Sequence, residues 1–237
     1  ALSNVQSSSN SQLKLILIIR QDAIGDFVMW LDTAKEYRKL YPPEKYELVL
    51  IGNALWCGLA KQLPYWDKVI PVNVKQFKSF SRYRWKLLRK IRKLKIETAI
   101  QPTFSREFYH GDSLVRACRA LRKVSSDGDM SNRNWLKKIL SNRWHTDLIP
   151  ASPDSMTELE RNAEFFSGFS RSPYFASFPK IKIPKFIITS ELEDHTFYVL
   201  VPGTSGSVVG KEWPPSSFSN LASKVYKQTG WKGIICG

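Results

Sequence analysis

The sequence predicts an α/β protein: a Rossmann-like, doubly wound parallel sheet, followed by the start of a second Rossmann-like domain. Three observations carry this. Short, nearly continuous apolar runs, the mark of strands buried on both faces, alternate with stretches of helical periodicity. The alternation breaks at a Pro/Ser/Lys-rich stretch, 173–184, and then restarts. Of the 237 residues, 43% are hydrophobic and 13% aromatic, enough to build a packed core.

Residues 1–12 are polar, rich in Ser and Asn, and read as a flexible lead-in rather than a secretory signal. The run Leu13–Ile19 is the first strand. Phe27, Leu31, Ala34 and Tyr37 then recur at helical spacing until Pro42. Tyr46–Gly52 is a second buried strand, followed by a helix from about Ala54 to Leu63. Lys68–Val72 is a third strand, a basic helix spans roughly Tyr83–Leu94, and Glu97–Gln101 is a fourth strand. Residues 124–154 mix Ser, Asp, Asn and Trp and read as a lobe or loop over the sheet. Met156–Phe169 is helical, with Leu159, Ala163 and Phe166 on one side. After the break, Thr196–Val201 is a strand, Pro202–Gly206 a turn, Pro214 opens a helix to about Gln228, and Gly233–Cys236 begins another strand. The domain reading is therefore 1–12 lead-in, 13–175 first domain, and 176–237 linker plus an incomplete second domain, with the chain expected to be a fragment or a pared remnant.

Composition excludes several classes. No run approaches the roughly 18 apolar residues of a membrane-spanning helix. The three cysteines, Cys57, Cys118 and Cys236, and three histidines, His110, His145 and His195, are scattered without metal-ligand spacing, so no metal is expected and the thiols are expected to be buried. The net charge of +15 is the outlier, concentrated between Lys75 and Lys123: Arg82, Arg84, Lys86, Arg89, Lys90, Arg92, Lys93 and Lys95 stand out. Such a field draws polyanions, whether nucleic acid, anionic lipid or a phosphorylated substrate, unless it is simply a solvated helix face. Tyr83 and Trp85 lie within it, yet no helix-turn-helix, RRM or finger pattern accompanies them.

Two motifs carry chemistry. Arg20-Gln-Asp-Ala-Ile-Gly-Asp26 sits where the first strand hands over to the first helix, at the edge where open α/β sheets bind ligands. Gly25 permits close backbone approach; Asp26 is either an N-cap or a general base facing a ligand. Pro202-Gly-Thr-Ser-Gly-Ser-Val-Val-Gly-Lys-Glu-Trp-Pro214 is either an ordinary strand-to-helix loop or an anion cradle, with Lys211 as a mobile cation. Neither is GxGxxG or a Walker A loop.

Together these motifs resemble family 9 glycosyltransferases, the ADP-heptose:lipopolysaccharide heptosyltransferases and their relatives. Ile16–Asp26 with Tyr41-Pro42 is similar to the family's opening, and Pro202–Ser205 with Lys211–Pro214 to the opening of its donor domain. The resemblance spans roughly Leu13–Gly237, with 124–185 matching in layout only. It implies a GT-B fold and inverting transfer of a heptose or related sugar from ADP-heptose to a lipopolysaccharide core or similar glycan, without metal or cofactor. It places Asp26 as general base, Gly25, Thr204, Ser205 and Lys211 on the donor's phosphates, and Asp22 on the structural or acceptor side. It also implies a nucleotide sugar and an anionic glycolipid as partners, peripheral contact with an anionic membrane surface, no specific nucleic acid, and a place at the cytoplasmic face of the inner membrane. Ser207–Gly210 departs from the family pattern as an insertion that alters the reach of Lys211. The alternatives are a non-catalytic sugar- or nucleotide-binding remnant and a basic nucleic-acid-binding protein.

Overall fold

A computed structural model describes residues 13–181, 196–203 and 213–236. The chain forms two compact units, Ala1–Lys180 and Ile181–Gly237. The first holds a six-stranded parallel sheet built from β1 (Lys14–Ile19), β2 (Tyr46–Asn53), β3 (Lys68–Val72), β4 (Ile96–Gln101), β5 (Arg122–Ser126) and β6 (Asp147–Ile149). Their order is β3-β2-β1-β4-β5-β6. Chain progression therefore reverses beside β1, and the gap between the ends of β1 and β4 is the switch point at which such sheets bind ligands.

The connecting helices are α1 (Ile24–Leu40), α2 (Cys57–Ala60), α3 (Arg82–Arg92), α4 (Gly111–Ala117), α5 (Trp135–Asn142) and α6 (Glu158–Ser170). The period-2 alternation of β1 divides the core. Leu15, Leu17 and Ile19 join Leu87 and Ile91 of α3 and Leu114 and Val115 of α4. Ile16 and Ile18, also fully buried, point to the opposite face. There α1 packs on α6, with the Tyr37 ring 5.1 Å from Phe166 and 5.8 Å from Phe169. Both faces being covered is why the strands read as unbroken apolar runs.

Three local devices fix this arrangement. Thr157 and Glu160 form a reciprocal capping box at the start of α6. Asp32, buried in α1, receives Lys35 Nζ at 2.6 Å, the Tyr174 hydroxyl at 2.5 Å and the Ser177 amide at 2.8 Å, so it pins the chain after α6 to α1. Gly128 adopts a positive φ of 58°, where a Cβ would also strike the Phe104 carbonyl oxygen.

The second unit is a βαβ turn: β7 (Phe197–Leu200) pairs in parallel with β8 (Lys232–Ile235), joined through α7 (Pro215–Thr229). Gly230 ends α7 in the left-handed conformation at φ 70°, with its amide on the Tyr226 carbonyl.

Several sequence expectations need correction. Residues 124–154 are not a lobe over the sheet; β5, α5 and β6 extend it. Only Val124, Ser125 and Ser126 of β5 are buried and β6 is half-buried throughout, so neither strand carries the apolar run that marks the central ones. The helix expected over 54–63 is a single turn, Cys57–Ala60, because Asn53 takes the Leu55 amide on its side chain and the Trp56 amide on its carbonyl, closing a turn where the helix was expected to start. Cys57 and Cys118 are buried as expected, but Cys236 is exposed.

Candidate functional site at the switch point

The end of β1 delivers Arg20, Gln21 and Asp22 to the sheet's carboxyl edge, and α1 begins two residues later. Arg20 is the centre of the site. Only 1% exposed, it lies over the Trp30 ring at 5.1 Å. Its Nη2 meets Glu158 Oε1 at 2.5 Å, its Nη1 donates to Asn162 Oδ1 at 2.7 Å, and its Nε is 2.8 Å from Asp22 Oδ2. Glu158 and Asn162 are four residues apart, one turn of α6, so one helix face presents both to the guanidinium.

Asp22 is held from every side. Thr103 Oγ1, just past β4, donates to its carboxylate at 3.3 Å, while Trp56 Nε1 donates to its carbonyl at 2.9 Å. Burial raises the Asp22 pKa; Arg20 opposes this and the nearby charge of Asp26 reinforces it. Glu158 is also raised by burial, again opposed by Arg20 and reinforced by Asp22 and Asp26. Asp22 and Glu158 thus share a single buried cation, with the charge of Asp26 close enough to disfavour the ionised form of both.

Asp26 is not an N-cap. Ala23 holds that position without any side-chain cap, and Asp26 lies in the first turn, three residues inside. Among the described residues its half-buried carboxylate has no hydrogen-bond or ion-pair partner, and the amides of Ile24, Gly25 and Asp26 have no acceptor. An uncapped helix start presents donors and positive potential to whatever lies before it. Gly25 is exposed, and a Cβ there would meet nothing within 4 Å, so packing among the described residues does not require a glycine. Thr204, Ser205 and Lys211 lie outside the described residues.

Between the ends of β1 and β4 runs a narrow crevice of about 30 Å³, lined by Gln21, Asp22, Gln101, Thr103, Ser105 and His110. Both amide atoms of Gln21 are buried here without a partner among the described residues, so the crevice suits a polar occupant of about a water's size. It shares Glu107 and His110 with a wider cleft of about 320 Å³, whose walls include Phe77, Lys78, Tyr109 and Lys137. His110 Nε2 is 3.7 Å from Glu107 Oε2; burial lowers the His110 pKa against the pull of that carboxylate. Among the described residues no group of three or more His, Cys, Asp or Glu side chains could hold a metal ion, and no helix is long and apolar enough to cross a membrane.

Comparison with solved structures decides what this architecture resembles. Escherichia coli heptosyltransferase WaaC with ADP superposes with a TM-score of 0.62 at 15% identity, over 94% of this chain and 66% of the other. A glycosyl transferase family 9 structure from Veillonella parvula gives 0.67 at 14% identity, over 94% and 62%. The E. coli ADP-heptose lps heptosyltransferase II gives 0.65 at 16%, over 94% and 64%. The chain has a heptosyltransferase-like fold. It spans about two thirds of the length of these heptosyltransferase-like structures. No protein-family profile matches it, and neither does any curated protein sequence.

Of the residues singled out from sequence, the structure brings Asp22, Gly25 and Asp26 together at one edge. Sequence reasoning missed the supporting half: Glu158, Asn162, Thr103 and Gln101, with Arg20 quoted in the motif but given no role. The Glu158/Asn162 spacing beside the capping-box start of α6 was a usable signal; nothing local announces Thr103 or Gln101.

Proposed function

We propose that this chain belongs to an inverting glycosyltransferase that moves a heptose or related sugar from ADP-heptose to a lipopolysaccharide core or similar anionic glycan. The observation that carries the proposal is Asp26: a carboxylate in the first turn of an uncapped helix, without a partner among the described residues, beside the switch point of a heptosyltransferase-like fold. One of the similar structures is WaaC with ADP-2-deoxy-2-fluoro heptose, aligned at a TM-score of 0.66 and 14% identity over 94% of this chain and 69% of the other, which supports a nucleotide-sugar donor here.

In the proposed reaction, Asp26 accepts the proton of an acceptor hydroxyl as that oxygen bonds to the donor's anomeric carbon. The bond from that carbon to the diphosphate breaks, and the nucleoside diphosphate leaves with the electron pair. The open amides at the start of α1 and the exposed backbone at Gly25 allow close approach of ligand oxygens. Thr204, Ser205 and Lys211 are assigned to the diphosphate by resemblance. Arg20 acts as a positioning residue: it fixes Asp22 and α6 so that the edge beside Asp26 keeps its shape. No metal or cofactor is assigned a part. The proposal places the enzyme at the cytoplasmic face of the inner membrane.

The test is release of ADP from ADP-heptose with and without a deeply truncated lipopolysaccharide, against UDP- and GDP-sugars as controls. Acceptor-dependent release from the ADP sugar alone is expected. Equal release from all three, or none from ADP-heptose with acceptor present, overturns the donor assignment.

A further inference from the structure

Helix α5 is inside out. A surface helix ordinarily buries its apolar stripe and turns its lysines to water. Here the half-buried Lys137 lies over the Tyr109 ring at 5.0 Å, and Lys138 donates to the Gly128 carbonyl at 2.8 Å. Trp135, Leu136, Ile139 and Leu140 face outward, 65%, 58%, 49% and 43% exposed. A second apolar group stands across the 320 Å³ cleft. Lys78 and Ser79 line that cleft opposite Lys137, and next to them Phe80 is 93% exposed and Trp85 on α3 58% exposed.

Around Phe80 and Trp85 the charge is one-sided. From Lys68 to Ile96 there are eleven Lys and Arg and no Asp or Glu. Lys86, Arg89, Lys90 and Lys93 are exposed and form no ion pair among the described residues. Contiguous exposed apolar surface of this kind marks an interaction site. A nucleic acid would answer the cations of α3 but leave the apolar face of α5 in water. An apolar protein partner would cover α5 but leave the cations unanswered. A lipid bilayer with anionic headgroups answers both, because Trp, Phe, Leu and Ile settle at the headgroup boundary while adjacent cations bind the phosphates.

We propose that the face carrying α5, Phe80 and the basic side of α3 docks on an anionic bilayer, with the 320 Å³ cleft between the two apolar groups lying at the lipid surface. This deepens the transferase reading, and rests on it only in making that surface the source of an amphiphilic acceptor.

The experiment is vesicle flotation of the 237-residue chain, without donor or acceptor, so that its outcome is independent of catalysis. Phosphatidylcholine vesicles are compared with phosphatidylcholine mixed with phosphatidylglycerol. Selective, salt-sensitive binding to the anionic vesicles is expected. The triple variant Lys86→Glu/Lys90→Glu/Lys93→Glu should weaken it by about a hundredfold, and Leu136→Gln/Ile139→Gln by at least about tenfold. All five positions are exposed, and a thermal melt matching the parent shows that the fold persists. Three outcomes overturn the proposal: no flotation, flotation that ignores both variants, or equal binding to neutral and anionic vesicles. Self-association abolished by Leu136→Gln/Ile139→Gln in a chain that does not float would reassign α5 to a protein interface. Retention on single-stranded RNA without flotation would reassign α3 to nucleic acid.

Discussion

Replacing Arg20 by Met removes the one cation shared by Asp22 and Glu158 while keeping an unbranched side chain over Trp30. Arg20 is 1% exposed, with contacts of 2.8, 2.5 and 2.7 Å to Asp22, Glu158 and Asn162. Deleting one member of a buried ion pair costs about 3–5 kcal/mol, because the remaining charge stays desolvated. Two carboxylates would be stranded here, so the upper half of that range is expected at pH 8. Both already have folded-state pKa values raised by burial, with Arg20 holding them down; removing it raises them further. A carboxylate with a raised folded pKa penalises the native state above that pKa, and the penalty fades as pH falls and it protonates. Urea denaturation at pH 8 and pH 5 reads this directly: the deficit of Arg20→Met should shrink by about half at pH 5, and adding Glu158→Gln should recover at least about 1 kcal/mol at pH 8. A deficit under about 1 kcal/mol, or one indifferent to pH and to Glu158→Gln, would refute the shared-cation reasoning.

Gly25→Ala places a methyl where nothing lies within 4 Å, so stability should be unchanged or rise by up to about 1 kcal/mol in a thermal melt, while acceptor-dependent ADP release falls at least about tenfold if ligand approaches that backbone. Burial alone would raise Asp32, but hydrogen bonds from Lys35, Tyr174 and Ser177 outweigh it and bring its pKa from 3.8 down to about 2. That depression contributes about 2 kcal/mol, fully present above pH 4 and lost as pH falls through 2. Asp32→Asn should therefore lose about that much at pH 7 by urea denaturation, and converge with the parent near pH 2.

The central strands were legible because burial on both faces forces an apolar run. Lys68–Val72 appears as expected, and Leu13–Ile19 and Tyr46–Gly52 shift by a single residue. β5 and β6 were hidden for the converse reason: toward that side of the sheet the strands are short and only partly covered, so the polar residues of Arg122–Ser126 and of the edge strand Asp147–Ile149 read as loop. At the site, the Gly25-Asp26 pair could be placed from its position after an apolar run. Its capping alternative could be settled only by geometry, since a helix start three residues earlier, with Ala23 as the cap, moves Asp26 into the first turn. Arg20 was opaque, because two of its three partners lie 138 and 142 residues away on α6.

The most direct test compares the native chain with Asp26→Asn and Asp26→Ala in acceptor-dependent ADP release, beside thermal melts of all three. A general base predicts a loss of about 10²–10⁴-fold in both variants with melting unchanged, because Asp26 has no partner among the described residues to lose. Activity within about threefold of native in a well-folded variant would contradict the assignment of Asp26 and the account of the switch-point edge built on it.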